Sequence, residues 1–192
     1  MRKIISFMHV SLDGFVAGPK GEMDWIRVDA DIFDYASEAT RKADLALYGR
    51  VTYQMMDAYW PTAADNPKAS KHDIEHSAWY KKVDKVVLSR SMAGQNIPKV
   101  TVVSGDLRAQ IGKFKEKQGG DIVVFGSPSA VHSLMKEDLL DEIWLFVNPV
   151  LLGKGIPMFK DIDGRKTLKL DLEKRFSTGV VMVKYEVALM KM

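Results

Sequence analysis

The chain has 192 residues, 46% of them hydrophobic and 28% charged, with a net charge of +3 and no cysteine. That length holds one domain with a substantial core, and the balance is that of a soluble globular protein. Disulfides, thiolate metal sites and cysteine nucleophiles are excluded, which fits a cytoplasmic protein.

Lys and Arg are scattered among Asp and Glu, which speaks against a nucleic-acid partner. No segment approaches the roughly 20 apolar residues of a membrane span. Ser6, His9, Ser11 and Asp13 interrupt the start early, so no signal-peptide core is expected there.

Lys3 to Val10 reads as a first strand, and Ser11-Leu12-Asp13-Gly14-Phe15-Val16-Ala17 follows it as an irregular loop. A helix is predicted over Asp29 to Ala43, with Ile32, Phe33, Ala36, Ala39 and Thr40 on one side. Asp44 to Tyr48 is a short buried-type strand, and Gly49 breaks it before a helix from about Arg50 to Ala58. Prolines and weak periodicity predict a loop over Tyr59 to Lys71, then a short polar helix over Ser70 to Tyr80.

Strands at Lys85 to Leu88 and Val100 to Val103 lead to a helix from Asp106 to Gln118, closed by Gly119 and Gly120. Ile122 to Phe125 is an apolar strand, Ser129 to Lys136 a helix and Glu142 to Val147 another strand. Two long strands, Thr167 to Phe176 and Val180 to Leu189, are joined by a Ser177-Thr178-Gly179 turn. Alternating strands and helices with a terminal hairpin imply a single three-layer α/β domain over 1–192. Its sheet is mostly parallel and flanked by helices, with an antiparallel edge at the C-terminus.

Four loops that leave strands suit anions. Gly49-Arg50-Val51-Thr52 opens a helix, where free N–H groups, a cation and a hydroxyl favour a phosphate. Gly126-Ser127-Pro128-Ser129 allows close backbone approach at another helix start. Leu88-Ser89-Arg90-Ser91 sets two hydroxyls around an arginine, which suits a second phosphate such as a 2′-phosphate on adenosine. The Ser11 to Gly18 loop is the fourth. Singly, each reads more simply as an ordinary turn or a solvated arginine; four in one domain are harder to dismiss.

In order along the chain, Ser11-Leu12-Asp13-Gly14, Gly49-Arg50-x-Thr52-Tyr53, Leu88-Ser89-Arg90 and Val123-Val124-Phe125-Gly126-Ser127 resemble landmarks of the dihydrofolate-reductase-like fold. Leu139-Leu140-Asp141-Glu142-Ile143 and the run Asn148-Pro149-Val150-Leu151-Leu152-Gly153-Lys154-Gly155-Ile156-Pro157-Met158-Phe159 resemble the tail of the riboflavin-biosynthesis reductase domain. The resemblance implies NADPH laid across the sheet. Arg50 and Thr52 would hold phosphate oxygens and Ser89 to Ser91 the 2′-phosphate. Gly126 and Ser127 would meet the pyrophosphate, and Val16 and Ala17 would flank the nicotinamide.

The family commonly has Gly-Gly where this chain has Gly126-Ser127, and a lysine of the first strand is replaced by Phe7. Asp29, Asp31 and Asp34 occupy the region where dihydrofolate reductases carry their acid. Asp13 and Asp31 are the candidate catalytic groups; for Asp13 a loop carboxylate bonding to nearby backbone N–H groups is equally consistent. Trp25, Tyr53 and Trp60 could stack on a planar ring, or pack a core or dimer interface.

His72-Asp73-Ile74-Glu75-His76 matches a metalloprotease pattern, but its flanks are those of an exposed polar segment, so no metal is expected. His9 and His132 are lone histidines, His9 inside the sheet edge. The expected function is NADPH-dependent reduction of a small planar heterocycle, pterin-like or a flavin precursor, by a homodimer. The alternative is a non-catalytic nucleotide- or ligand-binding protein on the same fold.

Overall fold

In the computed structural model, residues 1–160, 162 and 164–188 are described, with all their side chains except that of Ala39. The elements run β1 (Ile4–Ser11), β2 (Phe15–Ala17), α1 (Ala30–Lys42), β3 (Ala43–Gly49), α2 (Arg50–Ala63), α3 (Lys71–Lys82), β4 (Asp84–Leu88) and β5 (Val100–Val103). They continue with α4 (Leu107–Glu116), β6 (Asp121–Phe125), α5 (Pro128–Lys136), β7 (Glu142–Asn148), β8 (Ile156–Pro157), β9 (Leu168–Arg175) and β10 (Val181–Val187).

Among the described residues, eight strands form one sheet in the order β5-β4-β3-β6-β1-β7-β10-β9. The first six run parallel and β10 and β9 are antiparallel. The hairpin expected at the C-terminus is therefore present; the strand end expected at Leu189 lies outside the described residues. Gly179 takes a φ of +84° in the turn, and Phe176 and Val180 close it.

Central strands are apolar on both faces because both faces are covered. In β1, Ile5 and Phe7 face α1, α2 and α3, while Ile4, Met8 and Val10 face α4 and α5. The same alternation places Tyr48, Phe125 and Phe146 on the first side and Leu47, Val124 and Ile143 on the second. Helix starts follow local chemistry: Asp29 caps α1, Asp106 caps α4, and Ser70 with Asp73 forms a capping box on α3.

Two features differ from expectation. α2 does not stop at Ala58 but continues through Pro61 to Ala63. Trp60 packs on the core and Ala63 is buried, and this packing carries the helix past a residue with no N–H to donate. The second is a small antiparallel pair, β2 with β8, absent from the predicted elements. Its strands are too short for a periodic signal and lie nearly 140 residues apart. Gly155 makes the pairing possible, since a Cβ there would fall on the carbonyl oxygen of Ala17. Among the described residues, no helix is long and apolar enough to cross a membrane.

Candidate active site

All the expected loops emerge at the carboxyl edge of the sheet. Because β4, β3, β6 and β1 are neighbours, Ser89–Ser91, Gly49–Thr52, Gly126–Ser129 and Ser11–Phe15 lie in line across that edge. Three strand spacings span about 14 Å, a length suited to an extended dinucleotide.

The middle two loops are locked together. Gly126 and Ser127 both adopt left-handed backbone, φ +58° and +60°. The buried Ser127 hydroxyl accepts a 2.8 Å hydrogen bond from the Gly49 amide, joining the starts of α2 and α5. Its hydroxyl therefore faces the neighbouring loop rather than the sheet edge. This bond offsets the strain of holding a side chain in left-handed backbone.

A Cβ on Gly126 would lie 3.2 Å from the Thr52 methyl, so glycine keeps this hollow open. Neither Gly49 nor Ser127 caps its helix with a side chain, which leaves first-turn N–H groups of α2 for an anion and, in α5, that of Ser129, since Pro128 has none and Ala130 N donates to Ser127 O at 2.9 Å. Ser129 and Arg50 are exposed beside them, Arg50 held toward Gln54 at 3.0 Å. Ser89 and Ser91 pair at 3.2 Å, and Ser89 also accepts from the Met92 amide, which leaves Arg90 exposed on a closed turn after Leu88. Donor set and open hollow together fit a phosphate-bearing cofactor.

Against these loops sits an apolar cavity of about 230 Å³. Its wall takes Phe7, Met8 and His9 from β1, Val16 from β2, Ile32, Phe33 and Ala36 from α1, and Phe125 and Gly126 from the end of β6. Met55, Met56 and Trp60 close it from α2 and His72 and His76 from α3. Met23 and Ile26 cover it from the strap before α1. That strap is fastened through Asn148, whose amide oxygen accepts from Arg27 N at 2.8 Å while its amide nitrogen donates to Phe146 O at 3.0 Å.

The structure sorts the expected site residues. Val16, Gly126 and Trp60 are on the cavity wall, and Ala17 is buried beside Val16 in β2. Tyr53 is buried in the core near Tyr48, and Trp25 is tied to Glu22 O at 3.0 Å; neither lines the cavity.

Asp13 is exposed and accepts from Ser11 Oγ, Leu152 N and Gly153 N, stapling the first loop to the segment after β7. The Ser11 hydroxyl and these amides hold its carboxyl below the usual range. Asp31 lies in a separate polar hollow with Asp34, Glu38, Arg41 and Lys174. Asp29 caps α1 and Asp34 pairs with Lys71.

Two histidines depart from expectation. His72 and His76 are not on an exposed segment: they are partly buried, and Phe33, Trp60 and Phe125 from other elements wall them in. Their i, i+4 spacing was the visible signal; the aromatic partners were not. His9 stacks on Phe146 at 4.9 Å and faces the same cavity. Burial pushes His76 down to about 3 and His9 to about 4, so both are neutral. His132 instead meets Met158 O at 2.6 Å, tying α5 to the segment after β8. Among the described residues, no group of three or more His, Cys, Asp or Glu is placed to hold a metal ion.

A parallel sheet covered on both faces, with anion-suited loops along its carboxyl edge and an apolar cavity beside them, defines a dihydrofolate-reductase-like domain. Within that class the chain belongs to the RibD C-terminal domain family, whose model matches residues 2–183. It is similar to the uncharacterized protein YyaP of Bacillus subtilis, 31% identical over 186 residues that cover 96% of this chain and 94% of that one. A structure from Shewanella sp. PV-4, provisionally assigned to riboflavin biosynthesis, superposes with a TM-score of 0.72 at 22% identity, covering 98% of this chain and all of that one. Dihydrofolate reductase from Enterococcus faecalis, complexed with NADP(H), superposes at 0.57 with 15% identity, covering 96% and 94%.

Proposed function

We propose that the protein is an NADPH-dependent reductase of a small planar heterocycle, pterin-like or a flavin precursor. The observation that carries this reading is the position of Gly126. It belongs both to the hollow between the two helix starts and to the wall of the apolar cavity. A dinucleotide phosphate seated at Gly49–Thr52 and Gly126–Ser129 would therefore bring its far end to the cavity.

Bound there, the cofactor would supply a hydride; the chain contributes binding, orientation and exclusion of water. Arg50, Thr52 and the first-turn amides would hold phosphate oxygens, and Arg90 with Ser89 and Ser91 the 2′-phosphate. Val16 and Ala17 would border the nicotinamide, while Phe33, Trp60 and Phe125 would enclose the acceptor ring in a dry site.

The test is a fluorescence titration with NADPH and NADH on the parent, Arg50→Ala and Arg90→Ala. Both variants should weaken NADPH by about tenfold or more, and Arg90→Ala should also narrow the preference over NADH. Parent-like NADPH binding in both would sink the site assignment. The same reading carries a homodimer that covers the open edge at β9; sedimentation at twice the 21.6 kDa monomer mass would support it, and a monomer would remove it.

A further inference from the structure

Among the described residues the cavity wall bears no Lys, Arg, Asp or Glu. Its polar groups are His9 from β1, Thr40 from α1, and His72 and His76 from α3. The two α3 imidazoles stand one turn apart with centroids 5.4 Å from each other. His72 stacks on Phe33 at 3.9 Å and 13°, and His76 lies between Trp60 at 4.1 Å and Phe125 at 5.6 Å. Aromatic packing fixes both rings, and among the described residues neither makes a hydrogen bond to the protein.

We propose that His72 and His76 form the recognition edge for the acceptor, and that the acceptor is an uncharged planar heteroaromatic ring without a phosphate or carboxylate tail. This rests on the reductase reading for the planar ring and goes beyond it in naming the groups that read the ring and the charge it lacks. A neutral imidazole offers one donor and one acceptor. Two of them, one helical turn apart, match the alternating donors and acceptors along the edge of a nitrogen heterocycle. Phe33, Trp60 and Phe125 supply faces for the ring itself.

An anionic tail would enter a wall with no cation to meet it, and the loss of its hydration would go uncompensated. Burial keeps both imidazoles below their ordinary range, so they add no positive charge near neutral pH. Arg50 and Arg90 stand on the cofactor side of Gly126 and do not line the cavity.

Pterin and pterin-6-carboxylate, both fluorescent and identical in ring, separate the two claims when titrated at pH 7 with NADPH binding measured in parallel. Pterin should bind about tenfold or more tightly than its carboxylate. His72→Phe and His76→Phe, which keep an aromatic ring in each place, should each weaken pterin by up to about tenfold and leave NADPH within about twofold. His76→Gln keeps a donor and an acceptor and should recover part of the loss; it also serves should the Phe variant fold poorly. Equal or tighter binding of the carboxylate overturns the proposal, as does unchanged pterin affinity in both Phe variants or no pterin binding by the parent. Pterin binding that responds to the histidines without any NADPH binding would uphold this inference while removing the reductase reading.

Discussion

Replacing Gly126 by alanine tests the central feature of the site with one methyl group. The residue sits at φ +58°, where a side chain costs about 1–2 kcal/mol, and the new Cβ would press on the Thr52 methyl at 3.2 Å. For a chain of this size each kcal/mol lowers Tm by about 2–4 °C, so a fall of about 2–8 °C is expected. If the shifted loop forfeits one charge-assisted amide contact to phosphate, about 1.5–3 kcal/mol, NADPH affinity falls about ten- to hundredfold.

Gly164→Ala is the matched control, since it has φ +72° and open space around the added carbon. Thermal melts and NADPH titrations on the two variants isolate the local effect. Both should lose stability, Gly126→Ala at least as much because of the added Thr52 contact, and only Gly126→Ala should lose affinity. If Gly126→Ala binds NADPH like the control, the hollow does not cradle phosphate.

Ser127→Ala should cost about 1–3 kcal/mol, because it leaves the buried Gly49 amide without its acceptor and keeps a side chain at φ +60°; urea denaturation should show Ser127→Gly less damaged, and the opposite order would refute the strain argument. Asp13→Asn should weaken the grip on Leu152 and Gly153, read as faster amide exchange at those two positions with little change elsewhere. His9 and His76 are held neutral, with folded values of about 4 and about 3 below the unfolded 6.5. Their stabilising share is therefore complete above pH 6.5 and falls as pH drops, by about 2 kcal/mol each at pH 5. His76→Phe should flatten the fall of Tm between pH 7 and 5, and an unchanged slope would mean that His76 already titrates as a free imidazole.

Much of the fold was legible because its signals are local. Asp29, Ser70 and Asp106 announce helix starts by side-chain chemistry, and Ile122 to Phe125 reads as a strand buried on both faces. The pairing of Phe15 with Pro157 has no local counterpart, and α2 passes Pro61 only because Trp60 and Ala63 find tertiary partners.

The site divided in the same way. Loops rich in glycine, serine and arginine reveal themselves through backbone needs, whereas a cavity wall is assembled from distant elements. His72 and His76 sit among Lys68, Ser70, Lys71, Lys81 and Lys82, so local composition points outward; Phe33, Trp60 and Phe125 turn them inward. Tyr53 and Trp25 show the reverse, aromatic residues near the site in sequence that serve packing and a local turn instead.

Four of the residues around the cavity are methionines, Met8, Met23, Met55 and Met56. Thioether chains are unbranched and polarizable, and they reshape around an occupant at little cost. Such a wall discriminates weakly by outline, so a chemical screen should return a series of related rings with graded affinities rather than one hit. Met23 and Met55, exposed at 40% and 42%, are open to oxidation, and a sulfoxide at either would place a polar oxygen on the apolar cavity wall.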